Sequence, residues 1–121
     1  MKEEVREYLK DICNEAYDLK QFTKDKNFEQ YKQNRLLKAG VERKFEIIGE
    51  ILNRIKKIEK QVLEKIKDYR SIISFRNILA HGYDAVEDKV VWGIIENDLD
   101  VLIEDVEQLL SGNCSTDIIN E

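Results

Sequence analysis

Phe45-Glu46-Ile47-Ile48-Gly49-Glu50-Ile51-Leu52-Asn53-Arg54-Ile55-Lys56-Lys57-Ile58 returns an apolar residue every three or four positions. That spacing is the period of a helix with one buried face, and it does not fit a strand. The pattern extends back through Val41, Leu36/Leu37, Tyr31 and Phe28, and forward through Val62, Ile66, Tyr69, Ile72/Ile73, Phe75 and Leu79. No glycine or proline stands between Glu50 and His81, so no breaker marks where the chain turns back. An unbroken helix over those residues would be about 48 Å long at about 1.5 Å per residue. A compact domain of this size has a radius of gyration of only about 14 Å. The chain is therefore expected to bend, within Lys57–Gln61.

Outward from this stretch the same period recurs. Val5, Tyr8/Leu9, Ile12, Ala16 and Leu19 predict a first helix over residues 2–21, followed by a polar connection at Thr23-Lys24-Asp25-Lys26. Asn27 with Gln30 three residues later reads as a capping pair opening the second helix. Gly49 lies in mid-helix, where glycine costs about 1 kcal/mol against alanine, and is read as a close-packing position. His81-Gly82 reads as a helix end. Asp88 is expected to cap a last helix through Val90/Val91, Ile94/Ile95, Leu99, Leu102/Ile103, Val106 and Leu109/Leu110, ended by Ser111-Gly112. The fold class is all-α, an antiparallel bundle of four to five helices. Residues 1–112 are expected to form one helical domain and 113–121 a flexible tail.

The composition agrees. The 121 residues contain no proline, where a usual share of about 5% predicts about six, and only five glycines. Sandwiches and barrels need more turn residues than that. With 37% charged and 42% hydrophobic residues the chain suits neither a disordered tail nor a membrane protein. The start, Met1-Lys2-Glu3-Glu4-Val5, lacks the apolar core of a secretory signal, and a cytoplasmic setting is expected. Cys13 and Cys114 have no metal-ligand spacing; a reducing compartment is the default, and a long-range disulfide between them stays open. Asn113-Cys114-Ser115 fits a glycosylation pattern that, without a secretion signal, is read as chance.

The net charge of −5 conceals two halves. Residues 1–70 hold 18 Lys and Arg against 14 Asp and Glu, a balance of +4, and residues 71–121 hold 2 against 11, a balance of −9. The densest basic stretch is Arg54, Lys56, Lys57, Lys60, Lys65, Lys67 and Arg70. It reads either as a solvated helix face, given Glu59, Glu64 and Asp68 among it, or as a phosphate-binding stripe. The acidic final helix reads as an outer face or a docking surface.

One segment carries chemistry: Phe75-Arg76-Asn77-Ile78-Leu79-Ala80-His81-Gly82-Tyr83-Asp84. Asn77 and His81 are four apart, so on a helix the amide can orient the imidazole. Arg76 can swing its long side chain toward the helix end where His81 and Tyr83 emerge. An imidazole moves protons near neutral pH, and a guanidinium holds a phosphate with two parallel bonds. A plainer role fits the same residues: a histidine complementing the helix dipole at a C-terminus, a surface arginine and a half-buried tyrosine. From these residues alone the plainer role is the stronger reading.

The pattern of Arg76, four residues, His81, one residue, Tyr83 resembles the RxxxxHxY signature of HEPN-domain proteins, specifically the HepT-type toxins. Phe45-Glu46-Ile47-Ile48-Gly49-Glu50 resembles that family's helix with an "IGE" core, and Val91-Trp92-Gly93-Ile94-Ile95 with Asp98-Leu99 resembles its final helix. The similarity spans most of residues 5–110. Members commonly carry a proline and a tryptophan before the motif helix; this chain has no proline, and Tyr69 stands where the tryptophan would fall. The resemblance implies a HEPN-like homodimer with the motif helices facing across a cleft, and RNA cleavage without metal or cofactor. It further implies a type VII toxin–antitoxin pair, in which a minimal nucleotidyltransferase (MntA-like) antitoxin transfers adenylyl groups to the motif tyrosine, here Tyr83. Arg76 and His81 are the expected catalytic residues and Asn77 a supporting one. RNA-holding charge is expected mainly from residues 54–70, packed near the motif or across the dimer. The competing reading is a non-catalytic HEPN dimer that binds nucleotide or scaffolds a partner nucleotidyltransferase. A third is a plain helical-bundle dimerisation protein in which the grouping is coincidence.

Overall fold

Val5, Leu9, Ile12, Cys13, Ala16 and Leu19 are buried along one side of α1, Glu3–Thr23, as their spacing predicts. The computed structural model describes residues 1–81 and 86–114, and every helix given below lies within them. After α1 the chain forms a one-and-a-half-turn helix, α2 (Phe28–Gln33), and then the long α3 (Arg35–Leu63). The predicted capping pair is present: Asn27 Oδ1 accepts from the Gln30 N–H at 2.8 Å, and Gln30 Oε1 accepts from the Asn27 N–H at 2.9 Å.

The helix expected to run on from Phe28 instead breaks at Asn34, whose φ of −105° and ψ of 96° are extended. Its side chain accepts from the Leu37 N–H at 3.0 Å, so a second N-cap restarts the helix within the same apolar period. The bend expected within Lys57–Gln61 is present at Glu59, where φ is −151° and ψ is 71°. Glu59 Oε1 accepts there from the backbone N–H of Lys2 at 2.9 Å. The reversal itself comes later, between Leu63 and Tyr69. A buried carboxylate stands in for a turn glycine: Asp105, 8% exposed, accepts from the Lys67 N–H at 3.0 Å.

The chain then returns as α4 (Tyr69–His81); Gly82, the residue expected to close it, lies outside the described residues. The predicted last helix is two, α5 (Asp88–Asn97) and α6 (Leu99–Leu110), broken at Asp98. Glu87 rather than Asp88 takes the N-cap position of α5, without a side-chain cap bond; Asp88 is the first helical residue. Ser111 ends α6 in the left-handed region at φ 56°.

The helices are all α and pack antiparallel around α3, which lies between α1 and α4. Lys44 of α3 binds Glu15 and Asp18 of α1 at 2.6 and 2.8 Å, while Lys2 meets Glu59, so the two helices run in opposite directions. α6 covers the other side of α1, with Lys20 on Asp100 at 2.6 Å and Arg6 on the Leu110 carbonyl at 3.1 Å. α2 and α5 close one end through Tyr31 and Trp92, whose ring centroids are 5.3 Å apart. Cys13 and Cys114 form a disulfide, the pairing the sequence left open. Cys114, two residues past the expected boundary at 112, is 2% exposed; residues 115–121 of the expected tail lie outside the described residues.

Candidate active site

α4 owes its position to Tyr69, Ile72 and Phe75, which are buried against the rest of the bundle. Tyr69 supplies the aromatic anchor at the start of the motif helix, and the Arg70 guanidinium covers its ring at 4.6 Å from the centroid. Phe75 meets Phe45 of α3 edge to face at 5.4 Å. One turn beyond Ile72 comes Arg76.

The backbones approach most tightly there. A Cβ added to Gly49 would lie 2.3 Å from Arg76 Cβ, 2.7 Å from its Cγ and 3.3 Å from the Ile72 carbonyl oxygen. Gly49 is therefore the seat of the arginine stem, and any side chain there would force α3 and α4 to shift. The sequence marks Gly49 as a packing position without showing what packs there, because the partner is 27 residues away. Glu50, beside it, is held by Arg54 at 3.1 Å. Both line an open groove of about 460 Å³ between α1 and α3.

Seated in this way, the Arg76 side chain is half-buried at its stem, and its Nη1 donates to Asn77 Oδ1 at 3.2 Å. Asn77 thus braces the arginine. Ser74, Asn77, Ile78 and His81 repeat at intervals of three, one and three, which puts them on one exposed face of α4, with Ile78 54% exposed. His81 is the last residue of α4 and is exposed. The structure therefore brings Arg76, Asn77 and His81 onto adjoining turns at the C-terminal end of one helix. Tyr83, the expected modification site, lies outside the described residues.

The basic stretch is not where the motif needs it. Arg54 is committed to Glu50, Lys56, Lys57 and Lys60 are exposed on α3, and Lys65 and Lys67 sit in the turn joining α3 to α4. Tyr69 and His81 are separated by about 18 Å along α4, so these lysines occupy the opposite end of the hairpin from the imidazole. Within one chain the stretch is a solvated face, and the expectation that it packs near the motif is corrected. The acidic C-terminal helices are likewise not simply an outer face. Asp105 holds the turn, Asp100 pairs with Lys20, and Asp88 approaches Lys38 at 3.4 Å. Asp98 is protonated more readily than an ordinary aspartate, through burial first and then the charge and hydrogen bond of Asp68. Among the described residues no group of three or more His, Cys, Asp and Glu is placed to hold a metal ion, and no helix is long and apolar enough to cross a membrane.

Comparison with known proteins agrees with the resemblance carried by the motif. Residues 12–109 match the HepT-like family, described as ribonuclease HepT-like. The chain is 29% identical over 106 residues to "Putative RNase MJ1380" of Methanocaldococcus jannaschii, covering 88% of this chain and 96% of that one. It is 29% identical over 109 residues to "Probable ribonuclease HepT" of Thermococcus cleftensis, covering 90% and 98%. To "Putative RNase TTE0752" of Caldanaerobacter subterraneus subsp. tengcongensis it is 28% identical over 105 residues, covering 87% and 93%. No solved structure matches the chain.

Proposed function

The chain belongs to the HepT-like ribonuclease family, and from that premise we propose that it is an endoribonuclease, the toxin of a type VII toxin–antitoxin pair acting in the cytoplasm. The observation that carries the reading is the grouping of Arg76, Asn77 and His81 at the exposed end of α4, with the arginine stem seated on Gly49. RNA supplies its own nucleophile. A base removes the proton of a 2′-hydroxyl, that oxygen attacks the adjacent phosphorus, and the bond to the 5′-oxygen breaks as an acid protonates it. The products are a 2′,3′-cyclic phosphate and a 5′-hydroxyl, and the step needs no metal ion.

His81 is the proton-transfer group and Arg76 stabilises the charge of the phosphorane. A single histidine per chain cannot be base and acid at once, so two copies related by a two-fold axis supply the pair. The exposed α4 face bearing Ile78 supports such pairing, since an apolar side chain among motif residues is suited to burial between copies. Asn77 braces Arg76 and orients His81. A minimal nucleotidyltransferase antitoxin silences the enzyme by adenylylating Tyr83, two residues after His81, which places a bulky anion where RNA must enter.

The test is cleavage of single-stranded RNA by the purified chain. Arg76→Ala and His81→Ala should each lower the rate at least about 100-fold, the usual scale for losing an acid–base or charge-stabilising group. Unchanged cleavage in both variants removes the assignment. Tyr83→Phe should stay toxic in the presence of the cognate nucleotidyltransferase, and continued control of that variant excludes the modification site.

A further inference from the structure

Within one chain residues 54–70 are turned away from the motif, and a second group of cations lies around α2. Residues 20–38 carry Lys20, Lys24, Lys26, Lys32, Arg35 and Lys38 against only Asp25 and Glu29. Lys20 and Lys38 are engaged by Asp100 and Asp88. Among the described residues, none of the ion pairs within 4 Å takes Lys24, Lys26, Lys32 or Arg35. Four cations therefore stand unneutralised around the short helix α2.

Two open grooves meet at Lys26. One, of about 470 Å³, runs between the start of α2 and α5 and is lined by Lys26, Phe28, Lys89, Trp92, Gly93 and Glu96. The other, of about 550 Å³, continues along α2 past Gln30, Gln33, Asn34 and Arg35. Phe28 is half-buried, with the Lys32 ammonium 6.0 Å from its ring centroid. A Cβ on Gly93 would meet only Asn97 Nδ2, at 4.0 Å, so bare backbone leaves the first groove open at that point. Lys89 is one of only two basic residues after position 70. It projects from the first turn of α5 and is 77% exposed at the side chain, with Glu87 at 3.9 Å.

A ring for stacking, lysines on both walls and neutral amides along the continuation are the parts that hold an unpaired nucleic-acid strand: bases stack on aromatic faces and ammonium groups neutralise phosphates. Phe28 beside the lysines favours a nucleic-acid strand over an acidic protein surface, which would engage the cations alone. The face is also close in chain terms to the motif: α5 begins seven residues after His81, a link that spans at most about 25 Å.

We propose that the α2–α5 face is a subsite for single-stranded RNA flanking the cleaved phosphate, with Phe28 stacking a base and Lys26 and Lys89 holding phosphates. The inference rests on the ribonuclease reading above. Glu96, at the rim of the first groove, is the one acidic lining residue and repels phosphate there.

Binding is measured by fluorescence anisotropy with a labelled, mixed-sequence 12-nucleotide 2′-O-methyl RNA. It lacks the nucleophilic hydroxyl and cannot be cleaved, so binding is read apart from catalysis. Phe28→Leu keeps apolar bulk and removes the stacking face, and should weaken binding about fivefold or more, the low end for loss of one stacked base. The double variant Lys26→Ala/Lys89→Ala should lower the slope of log K against log salt by about 1.4, at about 0.7 per phosphate contact on a single strand. Lys56→Ala/Lys60→Ala on α3 should do neither. Circular dichroism confirms that each variant is folded. Equal binding by all four proteins, or no binding by any, overturns the inference. So does a Phe28→Leu variant that binds RNA normally but no longer binds its nucleotidyltransferase, which marks the face as protein-docking. The ribonuclease reading fails on different data, namely undiminished cleavage by Arg76→Ala and His81→Ala.

Discussion

Gly49 shows how one missing carbon places the side chain of Arg76. Alanine would gain about 1 kcal/mol in helix propensity, but its Cβ would lie 2.3 Å from that of Arg76. Both atoms sit on helix backbones, so relief requires α3 and α4 to separate. Gly49→Ala should cost about 1–3 kcal/mol in urea unfolding. It should lower RNA cleavage by about 10–100-fold, because sub-ångström placement of the arginine is what the close packing secures. Full activity in a destabilised Gly49→Ala protein would separate packing from placement and defeat this reading. Tyr31 carries the opposite defect. Its ring is fully buried against Trp92, yet among the described residues its hydroxyl has no hydrogen-bond partner. Burial, followed by the charges of Glu42 and Asp88, pushes its pKa well above the ordinary phenol range. Tyr31→Phe should therefore keep the fold and raise stability by up to about 1 kcal/mol, measured as a higher urea midpoint with unchanged slope.

At the scale of elements, breaks and turns are made by side chains that local patterns do not reveal. The helices themselves are legible because the apolar period is nearly continuous, and length alone requires a turn back without placing it, so the reversal lies beyond the expected Lys57–Gln61. The breaks at Asn34 and Asp98 are not, since neither interrupts that period. The α3–α4 turn has no glycine because Asp105, 38 residues away, accepts one of its N–H groups. The site divides in the same way. Arg76, Asn77 and His81 stand together in the sequence and on α4, whereas the seat at Gly49 and the lysines of the α2–α5 face belong to distant segments. Asp98 also carries a pH dependence. Its carboxyl is protonated more readily in the fold than in the unfolded chain, so its stabilising form is the neutral one, lost as pH rises through the folded value. The burial and the neighbouring Asp68 that raise its pKa both oppose its charged form. Asp98→Asn should raise Tm at pH 7 by about 1–3 °C, given partial exposure and screening. That gain should shrink towards pH 4; a gain that grows on acidification reverses the assigned sign.

At the scale of the molecule, the helices assign opposite tasks to the two halves of the charge. Acidic groups of the C-terminal helices hold Lys20, Lys38 and the turn at Lys67, and the basic residues around α2 remain for a substrate. The Cys13–Cys114 bond links positions 101 residues apart. Closing a loop of that size is worth about 4.7 kcal/mol in the chain-entropy model and about 2–5 kcal/mol in practice. Cys13→Ala/Cys114→Ala should lose that much in denaturant unfolding, and a reductant should reproduce the loss in the parent protein but not in the variant. No loss in either would mean the bond constrains nothing. The same link turns nearly the whole chain into a covalent ring. A protease that cuts once anywhere between residues 14 and 113 opens the ring without releasing a fragment. Such a molecule runs as one band on a non-reducing gel and as two on a reducing gel, and its helices remain tethered for religation or refolding after the cut.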